Sequence, residues 1–223
     1  MPTLAETHPP GWTLQDLVSR LVARPLFWIL LLALPAAWPV VWSLKTPVPA
    51  KLPVLATLPA FSLTDQAGRP FGSKELEGRA WVGSFIFTRC ATICPAITAK
   101  MARVQDRTRN LGAAFHLVSF SVDPEFDTPA RLEAYARAHR ASPRLWSFLT
   151  GPDDQVKAAV VDGLKIAVGR ERSEDGRFEG IFHGSHLVLV DQRGRVRGYY
   201  DSDEADVVER VVRDAGLLAN RGD

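Results

Sequence analysis

An apolar run that leads directly into two closely spaced cysteines restricts the folds open to this chain. The run from Trp81 to Phe87 predicts a buried β-strand, and Cys90 and Cys94 follow it almost at once. A helical pattern continues from the cysteines to about Leu111, and a second apolar run, Phe115 to Ser121, predicts another strand. The sequence therefore predicts a β-α-β unit with both cysteines where the first strand turns into the helix.

The segments on either side of this unit extend it into a larger α/β domain. In chain order they are a hairpin that opens with Phe61–Asp65 and turns at Gln66–Arg69, a helix capped by Thr128 with Pro129 in its first turn and reaching about Arg140, a strand at Trp146–Thr150, a helix at Asp153–Leu164, a hairpin of Leu187–Val190 and Val196–Tyr200, and a helix from about Asp203 to Ala215 capped by Ser202. The stretch Lys165–Gly180 is rich in charge and predicts a surface insertion. This is the thioredoxin order with a hairpin added at the start. We therefore predict an α/β, thioredoxin-like domain with an added N-terminal β-hairpin over residues 60–217, and a tail over 218–223.

The chain before this domain contains an uncharged stretch that is long enough to cross a bilayer. From Pro25 to Leu44, twenty residues carry no charge, and a helix of that length matches a bilayer core. We predict a short N-terminal segment at 1–24, one transmembrane helix at 25–44 and a proline-rich linker at 45–59. A removable signal peptide is the alternative, with Val48 and Ala50 as the small residues before its cleavage point. Basic residues are balanced across the stretch, so they do not predict its orientation.

Composition excludes one class of partner and leaves the chemistry of the cysteines open. A hydrophobic content of 46% is that of a chain with a folded core, and a formal net charge of +2 is not the strongly basic balance of nucleic-acid-binding proteins. We therefore expect no nucleic-acid partner. Two cysteines form at most one disulfide, and a close pair can serve either redox chemistry or metal binding.

The spacing of the cysteines favours a shared role. Three residues separate Cys90 from Cys94, and in a helix that begins at Cys90 the two side chains would lie on one face, about 5–6 Å apart at Cβ. Two sulfurs at that distance can hold one metal ion or form a disulfide. The positive end of a helix also favours their thiolate forms. Two buried structural cysteines are the alternative interpretation.

A metal held by two thiolates usually takes a third ligand, and the five histidines are candidates for it. His8 precedes the predicted membrane span, whereas His116 and His139 belong to a predicted strand and a polar helix end. His183 and His186 lie at the hairpin that a thioredoxin-like fold returns beside the cysteine turn. Three positions separate them, which points them to opposite faces of a strand, so one site is not expected to use both. The residues alone leave His183 as either a ligand or a hydrogen-bonded surface histidine.

Several separated segments resemble the Sco (SenC) family of mitochondrial and bacterial copper-delivery proteins. They are Phe61–Gly68, Phe87–Pro95, Ser121–Pro129, and His183 ahead of the run His186–Gly194. The resemblance extends from Phe61 to the final helix. It implies that the metal lies between Cys90, Cys94 and His183, and that His186 is outside the pattern.

The resemblance also implies a cargo, a client and a compartment. Copper would be bound as Cu(I), and as Cu(II) with an added ligand, and delivered to the two-copper centre of cytochrome c oxidase or to another copper enzyme. The partners would be the copper-bearing subunit of that enzyme and an upstream copper donor. One membrane span would hold the domain in the periplasm or the mitochondrial intermembrane space. Ala91 departs from the family pattern, in which proline is common there, and this bears on copper affinity and redox tuning rather than on the ligands.

Three other interpretations of the cysteines stay open. A thiol-disulfide oxidoreductase that reduces the copper-site cysteines of the oxidase subunit would need only the redox pair Cys90 and Cys94. A redox sensor would need the same pair. A structural zinc site would add His186 to His183, against the strand geometry.

Two carboxylates follow the predicted strand Phe115–Ser121, at the edge of a sheet where α/β sites gather. We interpret Asp127 as a helix cap. Asp123 is a candidate for orienting the metal ligands without binding the metal itself.

Overall fold

The computed structural model describes residues 18, 22–29, 31–33, 35, 38, 51–172 and 178–221, and the side chains of these residues except 170–172, 178–183 and 221. The chain divides into two compact units, Met1–Lys51 and Leu52–Asp223. In the first unit, residues 25–29 are helical. No helix within the described part of the chain has the length and the apolar character needed to cross a membrane. Part of the predicted span 25–44 lies outside the described residues.

The second unit is built from short strands and helices that alternate along the chain. Its described strands are β1 (Ala56–Thr57), β2 (Ser62–Asp65), β3 (Pro70–Gly72), β4 (Ala80–Ile86), β5 (Phe115–Ser121), β6 (Trp146–Thr150), β7 (Val168–Arg172), β8 (Phe178–His183), β9 (His186–Val190) and β10 (Arg195–Asp201). Its described helices are α1 (Ser73–Leu76), α2 (Ile93–Thr108), α3 (Pro129–Ala138), α4 (Asp153–Lys157) and α5 (Val207–Arg221), with a 3-10 segment at Arg109–Ala114 and a π-helical turn at Ala158–Gly163.

Eight strands form one mixed sheet in the order β1-β10-β9-β4-β5-β6-β2-β3, and β7 and β8 form a separate hairpin. The central strands β4, β5 and β6 are parallel, with Ala80 opposite Phe115 and Leu117 opposite Trp146. A hairpin flanks them on either side, β9–β10 beside β4 and β2–β3 beside β6. Because β4 and β5 are parallel, the loops that follow them leave the sheet at the same edge.

The two flanking hairpins are closed by the same kind of turn, Asp65-Gln-Ala-Gly-Arg69 in one and Asp191-Gln-Arg-Gly-Arg195 in the other. In each turn the aspartate carboxylate accepts the backbone N–H groups two and four positions later, at 2.8 to 3.0 Å. The arginine side chain donates to the same carboxylate. Gly68 and Gly194 have φ of 76° and 72°, a conformation that favours glycine. Both predicted hairpins are confirmed.

Aromatic side chains from the three central strands fill the core. Trp81, Phe85, Phe120, Trp146 and Phe148 are each at most 2% exposed. The rings of Phe85 and Phe120 lie 6.0 Å apart, and those of Trp146 and Phe148 lie 4.9 Å apart. Continuous apolar runs are what parallel strands covered on both faces require, and the predicted central strands are therefore confirmed.

The closing helix begins later and ends later than the sequence predicts. Ser202 is not its cap, because turns occupy the residues after it, with the Asp203 N–H donating to the Asp201 carboxylate at 2.9 Å, and α5 begins only at Val207. The helix then continues past position 217 and ends at Arg221, and its residue Leu218 is buried in the core.

Two segments predicted to be irregular contain strands. β1 lies in the predicted linker, where Leu55 and Leu58 each donate a backbone N–H to the β10 hairpin at 2.8 Å. The predicted insertion Lys165–Gly180 contains β7 and the start of β8. These short strands are paired through backbone groups, which leave no apolar periodicity in the sequence.

Thr128 caps α3 as predicted, accepting from the Arg131 N–H at 3.4 Å.

Candidate metal centre

The two cysteines lie at the junction between β4 and α2, at the edge of the sheet where the central strands end. Within it, the N–H of Cys90 donates to the carbonyl of Phe87 at 3.1 Å, and Cys94 lies in the first turn of α2. The shared helical face considered for the two cysteines is not formed, because Thr92 has non-helical angles (φ −112°, ψ −84°) and α2 begins at Ile93. The two cysteines are nevertheless close, since the backbone N–H of Cys94 donates to the Cys90 sulfur at 3.4 Å.

Cys90 is the open member of the pair. Its side chain is partly exposed and its thiol is free, and the Thr92 hydroxyl lies 3.8 Å from the sulfur. Partial burial opposes ionisation, but hydrogen bonds from Cys94 and Thr92 outweigh it and lower the pKa of the Cys90 thiol below its usual value. Cys90 is therefore an accessible sulfur that ionises readily.

Cys94 is the closed member of the pair. Its side chain is fully buried, and it also forms no disulfide. Burial is the main cause that raises the pKa of Cys94, and the nearby Cys90 and Asp127 add to the increase, outweighing a hydrogen bond from the Phe87 backbone. A thiol with a raised pKa loses its proton chiefly when a metal cation binds the sulfur, or when the sulfur forms another bond in place of the S–H bond.

Asp127 is buried against the cysteine turn and does not cap a helix. Its carboxylate accepts the backbone N–H of Thr88 at 3.1 Å, the hydroxyl of Thr88 at 2.5 Å and the hydroxyl of Ser121 at 2.6 Å. The interpretation of Asp127 as a cap is wrong, because Thr128 occupies the N-cap position of α3. Burial raises the pKa of Asp127, and its hydrogen bonds only partly offset that effect.

Asp123 is paired with the residue that precedes Cys90. The Arg89 Nε donates to the Asp123 carboxylate at 2.6 Å, and this carboxylate is almost fully buried. The Arg89 guanidinium also lies 4.8 Å from the centre of the Phe126 ring, and Arg131 lies 3.8 Å from the same ring. Asp123 thus contacts the neighbour of Cys90, and its role in orienting the metal ligands stays a prediction.

The structure places the backbone of His183 at the end of β8, opposite Val168 in β7. The side chain of His183 lies outside the described residues, so its role as a ligand stays a prediction. His186 begins β9 and pairs with Asp201 in β10. Among the described side chains, which do not include that of His183, no group of three His, Cys, Asp or Glu residues is arranged to hold a metal ion.

The other histidines within the described residues make packing contacts. His116 is buried in β5, where its Nε2 is 2.9 Å from the Ser147 hydroxyl and its ring stacks on Phe71 at 5.6 Å. His139 follows the last turn of α3 and lies 4.4 Å from the Tyr135 ring. His8 lies outside the described residues.

Fold and site together define a mixed α/β domain that carries two thiols outside any disulfide, one partly exposed and one buried, where its first central strand is followed by a helix. The SCO1/SenC family description matches residues 51–215. The chain belongs to the SCO1/SenC family.

Individual relatives agree with this assignment. The SCO1 protein homolog of Bacillus subtilis (strain 168) is 32% identical over 155 residues, which is 69% of this chain and 78% of the relative. A SCO1/SenC family lipoprotein from Bacillus anthracis str. Ames has a crystal structure that covers 75% of this chain and 98% of its own, with a TM-score of 0.67 and 34% identity.

Two further solved structures bear on chemistry. Arabidopsis thaliana ScoI with copper bound is 25% identical, covers 73% of this chain and 99% of its own, and has a TM-score of 0.62. BsSco, in which a disulfide switch was identified, is a member of the Sco family of cytochrome c oxidase assembly proteins. It is 28% identical, covers 77% of this chain and 98% of its own, and has a TM-score of 0.66.

Proposed function

We propose that this chain is a copper chaperone that binds one copper ion through Cys90, Cys94 and His183. It delivers the ion to the two-copper centre of cytochrome c oxidase during assembly. The observation that carries the proposal is a pair of sulfurs outside any disulfide and close together, with the Cys94 N–H donating to the Cys90 sulfur at 3.4 Å. The copper-bound plant relative and the assembly role of the Sco family to which BsSco belongs support the cargo and the client.

The donor set suits copper. Two thiolates and an imidazole are soft or borderline ligands, which favour Cu(I) and discriminate against hard cations. Cu(II) would take an added ligand. The ligands lose their protons when the ion binds, so the raised pKa of the buried Cys94 is overcome by the sulfur-copper bond.

Exposure of one sulfur allows the ion to leave. Cys90 is partly exposed, so a thiolate of the copper-bearing oxidase subunit can attack the copper and displace the ligands of this chain one at a time. Each displaced thiolate takes up a proton, and the oxidation state of the copper does not change. An upstream donor would load the site by the reverse sequence.

Copper stoichiometry of the reduced fragment from Thr46 onward tests the proposal, because this fragment contains the whole compact unit from Leu52 to Asp223. We expect one tightly bound Cu(I) per chain, and loss of stable binding in Cys90→Ala, Cys94→Ala and His183→Ala. His186→Ala is the matched control and should bind like the unaltered chain. Full binding by His183→Ala would remove that residue from the site.

The difference between the two thiols favours a second candidate, a thiol-disulfide oxidoreductase that reduces the copper-site cysteines of the oxidase subunit. The open Cys90 thiolate would attack the partner's disulfide, forming a mixed disulfide and releasing one partner thiolate. Cys94 would then attack Cys90, close the Cys90–Cys94 disulfide and release the second partner thiolate. A redox sensor would use the same pair.

His183→Ala separates the two candidates. Disulfide exchange needs only the cysteines and should survive this substitution, whereas copper binding should not. If the unaltered chain exchanges disulfides but binds no copper, the oxidoreductase replaces the chaperone as the function.

We further propose that residues 25–44 anchor the chain in a membrane, with the domain in the periplasm or the mitochondrial intermembrane space. The twenty uncharged residues support the anchor, and mitochondrial relatives support the compartment. The full chain should stay in the membrane pellet after alkaline extraction. Release of a chain whose N-terminus lies near Lys51 would show a cleaved leader instead.

A further inference from the structure

We infer that Asp127 is a positioning residue for the cysteine turn, which it holds by accepting hydrogen bonds from Thr88 and from Ser121. The inference deepens the proposed function and rests on it for the statement that Cys90 is a copper ligand. The geometric part concerns the thiols alone and can be tested without copper.

Asp127 joins two segments that are far apart in the chain. Thr88 precedes Cys90 by two positions, and its backbone N–H and its hydroxyl both donate to the Asp127 carboxylate, at 3.1 and 2.5 Å. Ser121, the last residue of β5, donates its hydroxyl to the same carboxylate at 2.6 Å. One side chain therefore ties the start of the cysteine turn to the neighbouring central strand.

A second contact holds the next residue of the turn. Arg89 donates to Asp123 at 2.6 Å, and the Asp127 N–H donates to the Asp123 carbonyl at 2.9 Å. Asp123 and Asp127 thus belong to one hydrogen-bond network, which holds the consecutive residues Thr88 and Arg89. Cys90 follows these two residues directly, so the position of its sulfur relative to the Cys94 N–H depends on this network.

The role of Asp127 lies in its acceptor atoms and not in its charge. The side chain is fully buried, and its negative charge works against ionisation of the nearby Cys94 thiol. A backbone N–H can only donate, so Thr88 requires an acceptor at this position. Asparagine can accept from Thr88 through its carbonyl and donate to the Ser121 oxygen through its amide, which keeps the geometry and removes the charge.

Asp127→Ala removes both the acceptor atoms and the charge, whereas Asp127→Asn removes only the charge, so comparing these two variants tests the inference. In the reduced fragment from Thr46, without copper, we expect Cys90 of Asp127→Ala to react with iodoacetamide several-fold more slowly at neutral pH. The reason is that a displaced Cys90 sulfur loses the hydrogen bond from Cys94. Asp127→Asn should react at the original rate or faster. With Cu(I), competition with a chelator should show affinity reduced about 10–100-fold in Asp127→Ala and nearly unchanged in Asp127→Asn.

Two further variants keep the test informative. Thr88→Val removes only the hydroxyl and should slow alkylation in the same direction by a smaller factor, which serves if Asp127→Ala does not fold. Asp65→Ala removes another buried carboxylate, one that accepts from the Ala67 and Arg69 N–H groups in a flanking turn. Asp65→Ala should lower the melting temperature and leave both readouts unchanged.

Equal behaviour of Asp127→Ala and Asp127→Asn would overturn the inference, because charge alone would then explain the effect. So would an original alkylation rate in a folded Asp127→Ala. If the unaltered chain binds no copper, the proposed function fails while the alkylation comparison still decides the role of Asp127.

Discussion

Acidification is expected to destabilise the domain through His116. This side chain is 3% exposed, its Nε2 is 2.9 Å from the Ser147 hydroxyl, and within the described residues its Nδ1 has no hydrogen-bond partner. Burial, with a smaller contribution from the positive charge of Arg79, lowers the pKa of His116 from 6.5 to about 4. The imidazole is therefore neutral in the folded chain over a pH range in which the unfolded chain protonates it.

The sign and size of the effect follow from these two pKa values. Between them the unfolded state binds more protons than the folded state, so stability is fully present above the unfolded pKa and falls as the pH drops towards the folded pKa. One pKa unit corresponds to about 1.4 kcal/mol. His116 should therefore reduce the free energy of unfolding by about 2 kcal/mol between about pH 7.5 and about pH 5, and by about 3 kcal/mol when the transition is complete.

Urea denaturation of the reduced fragment at both pH values measures this loss. His116→Gln, which can keep a hydrogen bond to Ser147, should lose about 2 kcal/mol less than the unaltered chain over the same interval. His139→Gln is the matched control, because burial also lowers the pKa of His139 but this residue is only partly buried. An equal loss in the unaltered chain and in His116→Gln would refute the reasoning, since carboxylates would then account for the acid sensitivity.

Two further predictions concern the thiols and the helix ends. Iodoacetamide should modify Cys90 well before Cys94 at neutral pH, because Cys90 is more exposed and has the lower pKa; peptide mass spectrometry that finds equal labelling would contradict the described burial of Cys94. Arg140 and Lys165 have φ of 55° and 58°, a conformation that costs a residue with a Cβ about 1 kcal/mol or more. Arg140→Gly and Lys165→Gly should therefore each raise the free energy of unfolding by about 0.5–1 kcal/mol, and a lower melting temperature in either variant would count against the described backbone.

Elements with a strong local pattern could be predicted from the sequence. The apolar runs around Trp81, Phe115 and Trp146 correspond to β4, β5 and β6, because parallel strands buried on both faces need continuous apolar residues. The turn chemistry of Asp65–Arg69 and Asp191–Arg195 likewise predicted both flanking hairpins. The mistaken cap at Ser202 shows the limit of such signals, since a serine before a helical pattern does not exclude a further turn.

The sequence predicted that the two cysteine sulfurs of the candidate site lie close together, but it did not predict the hydrogen bonds that hold them there. The spacing of Cys90 and Cys94 predicted their proximity, but the cause is a backbone hydrogen bond across a turn and not a shared helical face. The role of Asp127 left no local signal, because its partner Thr88 is 39 residues away in the chain. The sequence pattern around Asp127 favoured a cap instead.

The separation between Thr88 and Asp127 has a consequence for how the site comes into being. The closing contacts of a flanking turn span only four positions, whereas those at the cysteine turn span 34 and 39. Closing the longer loop costs about 2 kcal/mol more chain entropy, which the pairing and packing of the adjacent strands β4 and β5 can offset. An unfolded chain therefore carries both thiols but not their arrangement, and the proposed capture of a metal by the paired sulfurs requires that these long-range contacts have formed.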